Sequence, residues 1–258
     1  MSANDLLSLL IQLLFISLGV ITAFSFLRYR DKTRRDIALM FGSLALPYLI
    51  PSLLRVTGIE APWLGTLASI ALVSQPYLLL RLVRYFQPIS PLMMLSARVS
   101  MLVSWVAFAL ATWFTPVMAI IALLAIILSF VLINIYAMVL FVRGALTTVG
   151  VVRQRLRFAA AGSGLLALTL TGFMLIGLIP LLRDVFIPIT LLVAILAAVC
   201  YYVGFAPPRW LRRAWQMAEF RNFLLHLSSK SMSDRLNIER GLDALCHSSN
   251  LAVGGMLS

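Results

Sequence analysis

Acidic residues are scarce in this chain: nine Asp and Glu stand against 21 Lys and Arg over 258 positions, and only 12% of residues are charged at all. A water-soluble globular domain devotes about a quarter of its residues to charge, so a soluble fold of ordinary size is excluded. The two histidines, His226 and His247, stand alone in sequence, without the neighbours that a phosphorelay or a metal site needs. The two cysteines, Cys200 and Cys246, make neither a disulfide framework nor a ligand cluster, and no metal is expected. Lysine is as rare. Lys32 and Lys230 are the only two, and neither falls in an apolar run. A retinal Schiff base therefore has no residue to form on, and no cofactor is expected.

What fills the chain instead is hydrocarbon. Apolar residues make up 62% of it, and the mean hydropathy is +1.00. A bilayer core about 30 Å thick takes roughly 20 apolar residues at 1.5 Å each. Seven runs qualify: Leu6–Leu27, Ile37–Leu54, Trp63–Leu80, Pro91–Thr112, Val117–Val142, Phe158–Leu182 and Phe186–Phe205. In lipid a segment must satisfy its own backbone N–H and C=O groups, so each run is expected to be a helix. The fold class predicted is all-α, a seven-helix transmembrane bundle followed by a cytoplasmic exit helix.

The cations set its orientation. Arg28, Arg30, Lys32, Arg34 and Arg35 share one set of loops with Arg81, Arg84, Arg143, Arg153, Arg155 and Arg157, and with the arginines of the tail. The opposite loops carry only Arg55 and Arg183. Positive loops stay in the cytoplasm, which puts the N-terminus outside and the C-terminus inside. The net charge of +12 is thereby explained by topology, and nucleic acid is not an expected partner; the lipid bilayer is. Asp5 precedes the first run and the basic cluster follows it, the reverse of a cleaved signal peptide. Trp63 and Trp113 mark outer boundaries, and Trp210 follows the last inner one. The outer loops, Arg55–Pro62, Trp113–Pro116 and Arg183–Val185, are too short for a binding domain, so a stimulus must be read among the helices, at their outer mouths or from the bilayer.

Ionisable residues inside spans are functional candidates by default. Arg98 is the only one in these seven runs, which contain no Asp, Glu or His. Catalytic carboxylate pairs, metal motifs and nucleophile triads are thus missing, and this chain is not expected to be an enzyme. Arg98 lies roughly 10 Å from the inner end of its helix, and Gln75 and Asn134 fall at comparable depth in the third and fifth spans. With Tyr77, Tyr136 and Tyr48 they form a candidate polar or ligand site inside the bundle; snorkelling of Arg98 and plain interhelical hydrogen bonding by the two amides remain the alternative. Pro47 and Pro51 in the second span and Pro76 in the third each remove a helical hydrogen bond and are candidate hinges. Ala160, Gly164, Gly172 and Gly177 give the sixth span small faces for close packing.

Three segments follow from this layout: a bundle over 1–205, a juxtamembrane helix over 206–230, and a last stretch over 231–258. After Phe205 the chain reads Ala-Pro-Pro-Arg-Trp-Leu-Arg-Arg-Ala-Trp-Gln, a breaker followed by a helix former. Trp210, Met217 and Leu224, with Phe220 and Leu227 offset by three, repeat at heptad-like spacing. Two readings stay open: a short coiled coil in a homodimer that transmits movement from the seventh span, or an amphipathic helix held on the inner leaflet by Trp210, Trp215 and their arginines. Past the polar stretch Ser228–Asp234, Leu242 and Leu245 share one face of a second amphipathic helix, and an apolar stretch then begins.

The run FAPPRWLRRAWQ directly after a seventh span resembles the membrane-exit segment of multi-span bacterial sensor proteins, and LNIERGLDALCHSSNLAVGGMLS is similar to the first helix and first strand of a GAF domain. The resemblance covers about the last fifty residues and the general layout of the rest. It implies a seven-helix input domain in a bacterial inner membrane, ahead of GAF or PAS modules and a histidine kinase or diguanylate cyclase. The phospho-accepting and ATP-binding motifs of such outputs are not in this sequence, so that chemistry is expected only of a longer product. Two other classes stay in view: a small transporter, which solute flux would reveal, and a structural membrane subunit, which co-purification would reveal. The stimulus is not legible.

Overall fold

In the computed structural model, which describes residues 3–58, 61–110, 114–179, 181, 183–208, 210–217 and 220–221, every long apolar run is a helix. They are α1 (Ala3–Tyr29), α2 (Lys32–Thr57), α3 (Pro62–Val83), α4 (Pro91–Ala109), α5 (Pro116–Thr147), α6 (Gly150–Leu178) and α7 (Arg183–Phe205). All seven are long and apolar enough to cross a membrane, and no strand occurs among the described residues. The chain is an all-α, multi-pass membrane protein.

Local chemistry sets the helix ends. Pro62, Pro91 and Pro116 open α3, α4 and α5, where a missing N–H costs nothing. Ser90 and Thr115 cap two of these by accepting from the backbone N–H of Met93 and Met118. α1 stops at Arg30, which adopts φ 49°, and α2 stops at Gly58, φ 67°, where glycine bears the left-handed conformation without a Cβ clash. Pro47, Pro51 and Pro76 lie within helices that continue past them.

Several helices outrun their apolar runs. α2 begins at Lys32 rather than Ile37, α3 continues through Arg81, α5 continues through Arg143 to Thr147, and α6 begins at Gly150 rather than Phe158. Hydropathy marks where contact with hydrocarbon stops; the backbone ladder runs on into the headgroup zone, where charges are tolerated. The correction that matters concerns α2. The candidate span there is Lys32–Leu54 and includes Asp36, so the expectation that no carboxylate lies within a span does not hold.

Six helices close a ring in the order α1, α2, α3, α5, α6, α7 and back to α1, while α4 stands outside it against α3 and only lightly against α5. The arginine-rich helix ends gather at one end of the bundle. Arg34 there donates to Ser25 Oγ at 3.1 Å, Arg81 meets Asp36, and Gln87 donates to Thr147 Oγ1 at 3.3 Å. By the positive-inside rule this is the cytoplasmic end. The ring is filled on this side by aromatic side chains: Phe41 of α2 and Phe141 of α5 meet Phe205 of α7 edge-on at 5.8 and 6.0 Å, and Phe41 also meets Tyr201 at 6.0 Å.

Hydrocarbon tails are as apolar as leucine, so close packing must hold the helices together. Small residues permit it between α6 and α7. A Cβ on Gly162 would lie 2.9 Å from the Tyr201 ring, and one on Gly204 would lie 3.0 Å from the backbone nitrogen of Ala159. Of the small residues singled out in the sixth span, Ala160 is buried. Gly164 faces Met138 of α5, Gly172 faces Thr190 of α7, and Gly177 faces nothing within 4 Å.

Candidate functional site

Two polar layers cross the cytoplasmic half of the ring. The deeper one joins α3, α5, α6 and α7. Gln75 and Asn134, both fully buried, meet across the ring: Asn134 Nδ2 donates to Gln75 Oε1 at 3.4 Å and to the Phe130 carbonyl at 2.9 Å. That carbonyl can only accept, which fixes the orientation of the Asn134 amide. Asn134 Oδ1 and Gln75 Nε2 then remain buried without partners. Next to them the Tyr201 hydroxyl donates to Ser163 Oγ at 3.2 Å, and Ser163 passes its own proton to the Ala159 carbonyl at 2.9 Å. Gln75 also lies close to Tyr201 without completing a hydrogen bond to it.

The shallower layer joins α2 to α3. The Asp36 carboxylate is fully buried and takes Arg81 Nε at 2.9 Å and Arg35 Nε at 3.4 Å, with the two guanidinium side chains still 32% and 45% exposed. The Tyr85 hydroxyl donates to Oδ2, the oxygen that Arg81 also meets, at 3.0 Å. The Tyr85 phenol is held above its ordinary value, first by desolvation and then by its hydrogen bond to Asp36 and that carboxylate's charge, against the opposing pull of Arg81 and Arg35. Around the ring, Arg155 of α6 reaches the end of α7, where Nε donates to the Gly204 carbonyl at 3.0 Å and an Nη donates to that of Phe205 at 3.4 Å. Terminal helix carbonyls lack partners within the helix, and an arginine there also answers the negative end of the helix dipole.

Of the candidates read from the sequence, the structure brings Gln75 and Asn134 together and leaves Arg98 apart. Arg98 is exposed on the outer face of α4, its guanidinium carbon 5.9 Å from the centre of the Tyr77 ring. Tyr136 is half-buried against the core, and Tyr48 stacks on Phe15 of α1 at 5.7 Å. Pro76 lines a cleft between α3, α4 and α5. Tyr201, Ser163, Asp36, Tyr85 and Arg155 were not singled out from sequence. The available signal was Asp36 and Arg81 at matching heights on consecutive antiparallel helices.

Beyond α7 the chain turns at Ala206–Pro208 and is helical over 210–217. Trp215 packs back on Phe158 of α6, ring centres 6.0 Å apart. Trp210, Met217 and Phe220 are exposed, so that apolar stripe has no cover among the described residues. Leu224, Leu227 and the GAF-like stretch 231–258 lie outside the described residues. Compared with known proteins, the chain matches no family model, no curated protein and no solved structure.

Proposed function

We propose that this chain is a sensory input module of a bacterial inner membrane, in which a change of packing in the seven-helix ring moves the segment after α7 and, through it, a cytoplasmic output of two-component or cyclic-dinucleotide type. The observation that carries the reading is the clamp at the inner end of α7. Gly204 lies against the α6 backbone, Arg155 holds the last carbonyls of α7, and Trp215 of the exit helix stacks on Phe158 of the same α6. The α6–α7 pair and the exit helix thus share one contact surface, and displacement of the pair displaces the exit. A stimulus acts on such a two-state bundle only through its differential affinity for the two packings. The exposed stripe of Trp210, Met217 and Phe220 suits a homodimer of exit helices.

The test is to place the chain through residue 230 ahead of a histidine-kinase core and read phosphorylation in membranes, with cysteine crosslinking at position 213 read in parallel. Arg155→Ala is expected to shift kinase output, and replacing Met217 and Leu224 by Asp to abolish the crosslink. Output unchanged by Arg155→Ala, with crosslinking unchanged by the two Asp substitutions, would sink the reading. A second reading, a small transporter, gains from the buried carboxylate of Asp36, since proton-coupled transport uses intramembrane acids. Proton or solute flux in proteoliposomes that Asp36→Asn abolishes would favour it over the sensor.

A further inference from the structure

We infer that the flank formed by α3, α4 and α5 is a binding site for an anionic phospholipid of the cytoplasmic leaflet, with its phosphate on Arg98 and an acyl chain along the cleft beside α4. Arg98 sits in an exposed apolar row with Leu95, Val99, Leu102 and Val103. Among the described residues no carboxylate pairs with it, and its recorded neighbour is the Tyr77 ring. An arginine facing lipid is costly unless it reaches headgroups or draws them to itself. From Pro91 to Arg98 is about 10 Å of helix, a depth at which a snorkelling guanidinium meets phosphate.

The cleft completes the site. It is a narrow furrow rather than a cavity, lined by Val73, Tyr77, Ser100, Met101, Phe130 and Ile133, among others. Tyr77, Ala97 and Ile133 mark its cytoplasmic end, and Val73, Ser104 and Ile126 its other end. Arg98, next in sequence to Ala97 and beside Tyr77, therefore stands at the cytoplasmic mouth of the furrow, with the exposed apolar row of Val99, Leu102 and Val103 running away from it towards mid-membrane. That is the outline of a phospholipid: one charge at the interface, hydrocarbon beyond. Of the lining hydroxyls, those of Ser104 and Ser129 donate to their own helix carbonyls at 2.8 Å. α4 lies outside the ring, which leaves the cleft open to the bilayer. The choice of an anionic lipid follows from charge, since a zwitterionic headgroup carries its own cation and leaves Arg98 without a net counter-charge. The inference stands apart from the signalling proposal and holds whether or not the chain signals.

Trp105 makes it measurable. It lies seven residues beyond Arg98, hence on the same face and about 10 Å further along, with its indole N–H on Ser74 Oγ at 3.0 Å. In the full chain with every other tryptophan replaced by phenylalanine, vesicles containing bromine-labelled phosphatidylglycerol chains should quench Trp105 at about one-fifth the mole fraction required of bromine-labelled phosphatidylcholine, the roughly fivefold preference of one arginine for anionic lipid. Arg98→Gln should abolish that preference and Arg98→Lys retain most of it. Arg30→Gln, which removes one charge at the α1–α2 turn, should leave it unchanged. Equal quenching by the two lipids overturns the inference without any change at Arg98, and so does a preference that survives Arg98→Gln. Absence of quenching, as a second copy of the chain over α4 would give, overturns it too, as does loss of the preference to soluble inorganic phosphate, which would mark a site for the free anion.

Discussion

Breaking the Asp36–Arg81 pair from its two sides should have unequal effects. Asp36→Asn keeps the shape of the side chain and can still accept from Tyr85, but it strands the Arg81 guanidinium. Arg81→Met strands the carboxylate instead. Removing one member of a buried ion pair costs about 3–5 kcal/mol when the survivor cannot escape. The Arg81 side chain is 32% exposed, whereas the Asp36 side chain is fully buried, so the stranded cation can turn to water and the stranded anion cannot. We therefore expect about 2 kcal/mol for Asp36→Asn, below that range, and about 3 kcal/mol for Arg81→Met, at its lower edge because Arg35 and Tyr85 still contact the carboxylate. The double variant should cost less than the sum of the singles by at least about 1 kcal/mol, as for other directly coupled groups. Reversible unfolding in detergent, followed by tryptophan fluorescence, measures all three. Strict additivity, or a cost of Asp36→Asn above that of Arg81→Met, would refute the reasoning, because either result means the buried carboxylate is not what the pair exists to satisfy.

Other outcomes follow from neighbouring contacts. Gln75→Leu and Asn134→Leu should each destabilise the bundle, and the double variant should recover about 0.6–1.7 kcal/mol relative to additivity, the range of interhelical hydrogen bonds in membranes; unfolding in detergent reads this as well. Gly162→Val forces a Cβ into the Tyr201 ring, 2.9 Å away, and should cost about 1–3 kcal/mol, whereas Gly177→Ala meets nothing within 4 Å and should gain up to about 1 kcal/mol of helix propensity; thermal scans of the pair give the contrast. The raised phenol of Tyr85 binds its proton more tightly folded than unfolded, so its contribution is complete below the unfolded value near 10 and is lost as pH rises through the higher folded one. Tyr85→Phe should flatten that alkaline decline, which phenolate absorbance and stability curves report together.

Span number, helix class and the shared depth of Gln75 and Asn134 were legible because lipid imposes them: length and backbone satisfaction follow from the bilayer, and depth from the rise per residue. Direction around a helix was not legible. Arg98 and Asn134 sit at similar depths, yet one faces outwards and the other is buried, because α4 stands outside the ring and α5 within it. That is a fact of tertiary packing that a single helix does not encode. Asp36 escaped for a different reason. It adjoins Arg34 and Arg35, so it reads as a headgroup charge just before an apolar run, and its partner Arg81 comes from the next helix. Tyr201 was missed because a tyrosine near the end of a span reads as an interfacial anchor, whereas here it is fully buried under Gly162.

The two polar layers also divide the ring along its axis. Asp36, Gln75, Asn134, Ser163, Tyr201 and Arg155 tie α2, α3, α5, α6 and α7 together in the cytoplasmic half. In α2, Pro47 and Pro51 lie on the far side of Asp36, and in α7 Pro188 lies on the far side of Tyr201. In α2 and α7 the backbone bonds that proline removes are therefore missing outward of these side-chain ties, whereas Pro76 of α3 adjoins Gln75 within them. Deformation is cheapest where few bonds must break, so α2 and α7 bend most easily in their outer halves while the inner half moves as a body. On the proposed sensor reading, a rigid inner half is also the condition under which a small outer displacement reaches the end of α7 undiminished, where Arg155 and Gly204 would pass it to the exit helix. On the signalling reading, the polar layers need bind nothing themselves; their role is to make the cytoplasmic half stiff enough to carry the motion.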